Sequence, residues 1–241
     1  MRETPYKLHH IRRRSAGGIT SASYCSLNAI IKFDGMESPH CVYVENVAVR
    51  LAQTLHIPVA DGVLTATGEG PAYASLEIAS PGISLPNMLE SQRAQVAATY
   101  PEEVAALMAF DIFIGNMDRM RNIKASTVTP HIQVFKGFDH SHSLLSIEED
   151  PYRSLSRLKS SDLIVKFHPF YGMVSGSHLS AWAGRIAAMD DLYIRECCHF
   201  GHQFRAVDAK LQEALAEALV WRKRSLKRIV TRHINHIRPT P

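Results

Sequence analysis

The feature that most constrains this chain is a largely apolar helix that runs straight into a polar turn. Residues 101–115 open with Pro101-Glu102-Glu103. Proline suits a helix start because its missing N–H would go unpaired there anyway, and the glutamates face the positive end of the helix dipole. The helix passes directly into Ile112-Phe-Ile-Gly-Asn-Met-Asp-Arg-Met-Arg-Asn122, where Asn116, Asp118, Arg119 and Asn122 place four polar side chains within seven residues. Burying such groups as filler is costly, so the pattern suits a catalytic loop. Asp118 would orient or deprotonate an attacking hydroxyl, and Asn122 would bind a metal. A helix cap followed by a salt-bridged turn accounts equally well for Asn116.

Three further features point the same way. Asn28-Ala-Ile-Ile-Lys-Phe33 reads as a strand, and a lysine within an apolar strand needs either solvent or an anion for its ammonium. Thirteen residues after Lys32, Glu45 lies beside the apolar stripe of a helix expected over residues 39–55. Val44, Val47, Ala48, Leu51, Ala52 and Leu55 give that stripe its helical period. A strand lysine held by a helix glutamate is how kinases fix the lysine against the α and β phosphates of ATP. Finally, Gly137-Phe-Asp-His-Ser-His142 offers Asp139 as a magnesium ligand. Taken singly, Lys32 and Glu45 read rather as solvated surface charges.

In this order, Lys32, Glu45, "IGNMDRMRN" and "FDHS" resemble the HipA-like kinases and the phosphatidylinositol kinase-like fold, over roughly residues 15–145. The resemblance implies an α+β, two-lobed protein-kinase-like fold. A small antiparallel-sheet lobe with one helix would span 1–82, and a larger, mainly helical lobe 83–241. It implies ATP and Mg2+ as cofactors and a protein serine or threonine as acceptor. It also implies an antitoxin partner and autophosphorylation near the phosphate loop. Gly17 and Gly18 would cradle phosphate, with Ser15, Ser21 and Ser23 as the modified hydroxyls, although a plain hairpin turn accounts equally well for the two glycines. Glu77 and Ile78 would present backbone groups to adenine. The chain departs from the family at Met120, where histidine is usual. Asn122 lies four residues after Asp118 rather than five, and Ser141 replaces a glycine. An inactive or degenerate nucleotide-binding module is therefore the alternative.

Elsewhere the sequence reads as strands at 6–14, 19–25, 62–67 and 72–79, a helix at 85–99, and short strands at 125–128 and 132–135. An irregular stretch at 148–178 precedes a helical region over 179–236. There, Phe204, Val207, Leu211 and Leu215 begin one apolar face of a long helix.

Composition enters through its asymmetry. The net charge of +4 combines 9 basic and 12 acidic residues before position 121 with 18 and 11 after it, and no acid follows Glu217. The basic excess thus belongs to a terminal helix, which reads as a solvated face before it reads as a nucleic-acid contact, so nucleic acid is disfavoured as a partner. No apolar run approaches the ~20 residues of a membrane span, and the basic start is not followed by a signal-peptide core. A cytoplasmic protein with no membrane partner is expected, with its four cysteines reduced. Asp139, His140 and His142 could together form a transition-metal site, but no further ligands can be named.

Overall fold

The computed structural model describes residues 6, 8–14, 22–80, 83–127 and 134–237. Gly17, Gly18, Ser15 and Ser21 lie outside these residues. In chain order the elements are β1 (Leu8–Arg14), β2 (Ser23–Leu27), β3 (Ala29–Lys32), α1 (Cys41–Leu55), β4 (Gly62–Thr67), β5 (Gly70–Leu76), β6 (Ala79–Ser80) and β7 (Ile83–Ser84). After these come α2 (Arg93–Thr99), α3 (Pro101–Ile114), β8 (Ile123–Ala125), β9 (Phe135–Gly137), α4 (Pro151–Leu158), α5 (Gly176–Ala187), α6 (Asp191–Cys198), α7 (Ala209–Arg232) and α8 (Ile234–Ile237). Small antiparallel sheets come first and helices dominate the rest of the chain, the expected α+β, kinase-like arrangement.

A three-stranded antiparallel sheet, ordered β3-β5-β4, carries Lys32 directly opposite Tyr73, which in turn faces Leu64. Strand side chains alternate, so Lys32 and Tyr73 share one face. Tyr73 is buried and lies over Gly62, where an added Cβ would fall 2.2 Å from the phenol oxygen. Helix α1 packs on β4 and β5 and, from its other side, against α6. Residues 41–49 are buried without a break, so the first nine residues of α1 are enclosed on all faces. Tyr43 shows how. Its hydroxyl donates to the Cys198 carbonyl at 3.0 Å, and its ring meets Phe200 and Phe204 edge-on at 5.7 and 5.2 Å.

Helix α3 forms the centre of the molecule, with every residue from Val104 to Ile114 buried and with α2, α5 and α7 packed around it. Each fully buried Leu, Ile or Phe here contributes about 1.5–3 kcal/mol relative to exposure. The helix stops at Gly115, whose φ of +70° favours glycine, and where a Cβ would fall 2.7 Å from Ile147. The segment after α1 joins β9: Gly137 N–H donates to Pro58 O and Ala60 N–H to Gly137 O, both at 2.8 Å.

Four sequence expectations shift. The short strands expected at 125–128 and 132–135 are replaced by β8 at Ile123–Ala125 and β9 at Phe135–Gly137, and residues 128, 132 and 133 lie outside the described residues. The helix expected at 85–99 shortens to a 3-10 turn and α2, because Met88 N–H bonds Ile123 O and draws the preceding residues alongside β8. The irregular stretch after 148 contains α4, started by Asp150, whose side chain accepts from Tyr152 N–H at 2.9 Å, and by Pro151. The long apolar face beginning at Phe204 is interrupted: Phe204 and Val207 pair with each other, and α7 starts only after its cap Asp208, which accepts from Leu211 N–H at 2.7 Å.

The basic run of α7 is partly internal. Arg222 is buried and donates to the carbonyls of Ser160, Asp162 and Ile112 at 2.8, 3.1 and 3.1 Å. Buried Lys223 bonds Met189 O and pairs with Asp191, which also holds Arg224. These cations fasten α7 to α3, to the start of α6 and to the segments that follow α4 and α5. No helix among the described residues is long and apolar enough to cross a membrane.

Candidate active site

The three charged residues expected from separate motifs converge on one point. Lys32 Nζ lies 2.5 Å from Glu45 Oε1 and 2.8 Å from Asp139 Oδ1. Glu45 is only 1% exposed, so its carboxylate depends on the Lys32 ammonium and on the donors around it. Burial alone would weaken the Lys32 ammonium, but the two carboxylates outweigh it and hold the lysine pKa above its ordinary value. For Asp139 burial likewise works toward the neutral acid. The Lys32 charge and the Ser141 hydrogen bonds overcome it and keep the carboxyl well below the usual range.

The backbone around Asp139 is built for this contact. Asp139 has a φ of +58°, a left-handed conformation that aspartate tolerates better than most residues and that clusters at functional sites. Ser141 donates to Asp139 Oδ1 twice, from Oγ at 2.6 Å and from N–H at 3.2 Å. The next residue, His140, turns away from solvent. Its N–H donates to Glu45 Oε1 at 3.0 Å and its Nδ1 lies 3.3 Å from Glu45 Oε2. Among the described residues no group of three or more His, Cys, Asp or Glu could hold a metal ion, and His142 is exposed.

The polar turn after α3 is organised by Arg119, 1% exposed. Its Nε and one terminal nitrogen reach the two Asp111 oxygens at 2.8 and 3.0 Å. The other terminal nitrogen donates to Asn122 O at 3.1 Å and to Phe138 O at 2.5 Å. Phe138 N–H also donates to Asn122 O at 3.0 Å, and Met117 N–H to His142 O at 3.2 Å. The Asp118 turn and the Asp139 turn are therefore stitched together at both ends. Asp111 is completely buried. Burial would raise its pKa, but Arg119 and His168, whose Nε2 lies 3.2 Å away, hold it well below the carboxylate range.

Within this frame Asp118 is exposed. Its N–H is held by Asn116 Oδ1 at 3.2 Å, and its carboxylate accepts from Asn122 Nδ2 at 3.3 Å. Asn122 also donates to Asp118 O at 2.7 Å, so its amide nitrogen is committed and its oxygen is the atom left to meet a cation. Asn116 is buried and bonds Asp111 Oδ1 at 3.1 Å, which makes it part of the cap. At the far end of β5, Glu77 N–H donates to Asn28 O at 2.9 Å and its carboxylate accepts from Asn28 Nδ2 at 3.0 Å. Ile78 is buried and bridges Tyr6. Ser23 is exposed at the start of β2.

Asp111 and His168 do not stand out in the sequence as members of this site, and His140 stands out there only as a possible transition-metal ligand with Asp139 and His142. Asp111 carried a signal, as the one acid between Val104 and Ile114. His168 carries none, and nothing in the sequence ties His140 to Glu45, because the partners lie 57 and 95 residues away. Ile30 is a further addition: it shares the Lys32 face and is 58% exposed, an apolar side chain beside the lysine.

No protein-family model matches the chain, and no curated protein matches it. Among solved structures it is similar to the Helicobacter pylori proinflammatory kinase CtkA. The TM-score is 0.61 at 14% identity, covering 93% of this chain and 96% of that one. That likeness establishes the fold as a kinase fold. HipA of the Shewanella oneidensis MR-1 toxin–antitoxin system, solved with HipB and operator DNA, matches with a TM-score of 0.48 at 15% identity, covering 98% of this chain and 65% of that one.

Proposed function

We propose that this chain is a HipA-like protein kinase that moves the γ-phosphoryl group of ATP to a serine or threonine hydroxyl. The observation that carries the reading is the meeting of Lys32, Glu45 and Asp139 beside a turn that presents Asp118. In this reading residues 1–82 and 83–241 are the two lobes. Lys32 neutralises the α and β phosphates while Glu45 keeps the ammonium aimed at them. Ile30 covers the base, and Glu77 and Ile78 border it. Asp139 and Asn122 offer carboxylate and amide oxygens, the hard donors that magnesium prefers. Bound there, magnesium would supply charge neutralisation for the phosphates.

Asp118 accepts the hydrogen bond of the acceptor hydroxyl and takes its proton as the new O–P bond forms. The bond from the γ-phosphorus to the bridging oxygen breaks, and ADP leaves with that electron pair. Catalysis here is placement and charge stabilisation, which explains why the two turns are tied so closely by Arg119. An antitoxin partner, a cytoplasmic setting and self-modification at Ser15, Ser21 or Ser23 complete the proposal. The antitoxin partner and the self-modification follow from the family resemblance, and the cytoplasmic setting from the sequence, which has neither a membrane-span-length apolar run nor a signal-peptide core.

Transfer of label from γ-labelled ATP to cell lysate and to the protein itself tests the reading. Asp118→Asn should reduce labelling by about 10²–10⁴-fold, the worth of a general base. Equal labelling by both proteins would remove Asp118 from the mechanism. Nucleotide binding without transfer would identify a degenerate binding module instead, and intact-mass measurement after incubation with ATP and magnesium reads the serines.

A further inference from the structure

His140 sits immediately after the proposed metal-binding aspartate, yet its imidazole does not face the metal position. It is 1% exposed and turned beneath α1, edge-on to the Phe110 ring at a centroid distance of 6.3 Å. Its two nitrogens are used unequally. Nδ1 lies 3.3 Å from Glu45 Oε2, and the backbone N–H of the same residue reaches Glu45 Oε1 at 3.0 Å. Nε2 is buried and has no hydrogen-bond partner among the described residues. A carboxylate only accepts, so the contact requires a proton on Nδ1.

Glu45 Oε1 is also the atom that holds Lys32. One carboxylate thus receives Lys32 from the sheet on one side and two donors from the Asp139 turn on the other. Its free rotation is removed by the His140 pair rather than by the lysine, because a lysine on a flexible stem follows a carboxylate more readily than it fixes one. We infer that His140 is a positioning residue, which sets the angle of the Glu45 carboxylate through Nδ1–H and so delivers the Lys32 ammonium to the nucleotide. The inference builds on the kinase reading. It adds that the helix glutamate and the metal-site turn move as one unit, since Glu45 cannot swing away without releasing His140.

The unequal use of the ring suggests the test. Asparagine places its amide nitrogen where Nδ1 lies and omits Nε2, whereas leucine keeps bulk without a donor. His140→Asn should preserve the geometry and His140→Leu should lose it. The first readout is the rate at which an amine-reactive reagent labels Lys32 at fixed pH, followed by peptide mass spectrometry. His140→Leu should label roughly ten times faster than wild type and His140→Asn within about twofold of it, in line with the 10–100-fold effects of groups that orient a site from behind. Equal labelling in all three proteins, or equally fast labelling in both variants, overturns the inference.

The second readout uses the unaltered protein and depends on no variant folding. Long-range ¹H–¹⁵N correlation of the His140 ring should show Nδ1 carrying the proton, and a bare Nδ1 overturns the assignment. Both readouts remain valid if no phosphoryl transfer is found, so failure of the kinase reading and failure of this one are separable. Where transfer occurs, His140→Leu should lower kcat more than it raises KM for ATP, with His140→Asn restoring it.

Discussion

Lys32 Nζ stands between carboxylates from two different elements, 2.5 Å from Glu45 on α1 and 2.8 Å from Asp139 in the turn after β9. One ammonium therefore joins the sheet, the helix and the turn. In the proposed mechanism a nucleotide with its cation would take over the Asp139 contact and leave the Glu45 contact in place, which would separate the two acids by role.

Asp139→Asn removes the charge proposed to meet the cation and leaves the Glu45 pair intact. Phosphoryl transfer should fall by about 10²–10³-fold or more, as when a single stabilising group is lost from a preorganised site. Binding of magnesium-free ATP should change far less, and parallel titrations of ATP with and without magnesium read the difference. Equal losses in both would assign Asp139 a role in folding only.

Asn122 carries the unusual spacing. With its amide nitrogen committed to Asp118, only its oxygen can serve the cation. Asn122→Ala should lower transfer by roughly 10–100-fold and raise the magnesium concentration needed for half-maximal rate. An unchanged magnesium requirement would show that the residue only shapes the turn.

Arg119 and Asp111 form a buried pair that supports both turns. Arg119→Ala leaves the Asp111 carboxylate without its cation and should cost about 3–5 kcal/mol, read as a lower urea midpoint. Because the Asp111 pKa is depressed in the folded state, its share of stability is present above the unfolded value of about 3.9 and is lost as the pH falls through the folded value. Acid unfolding should therefore steepen below about pH 4.

His168 gives a separate window nearer neutrality. Burial is the largest influence on it and lowers its pKa, more than Asp111 restores. The unfolded chain therefore takes up the proton first, near pH 6.5. Stability from this residue is complete above about pH 6.5 and declines as the pH falls below it. Thermal melts between pH 5 and 7.5 should slope less for His168→Gln than for wild type, and parallel slopes would exclude His168 as the source.

The α3 helix, the Lys32 strand and the Glu45 helix were legible because each is encoded by neighbours within a few residues. Apolar period, proline and glycine set those elements locally. The helix expected at 85–99 and the unbroken face from Phe204 were misread for the opposite reason. Met88 is recruited by Ile123, and Phe204 pairs with Val207, so contacts outside the local period took those residues out of helix.

The same division runs through the charges. By itself the sequence determined that Lys32, Glu45, Asp118 and Asp139 follow one another in an order that resembles the HipA-like kinases, and that the basic excess lies beyond Glu217. Only the tertiary structure decided that Arg222 and Lys223 are spent on buried carbonyls and that Asp111 is the counterion of Arg119. It alone decided that His140 reaches across 95 residues to Glu45. Helical and strand periods are short-range, whereas the partner of a buried charge is whichever group the folded chain brings within about 3 Å of it in a medium too apolar to leave it unpaired.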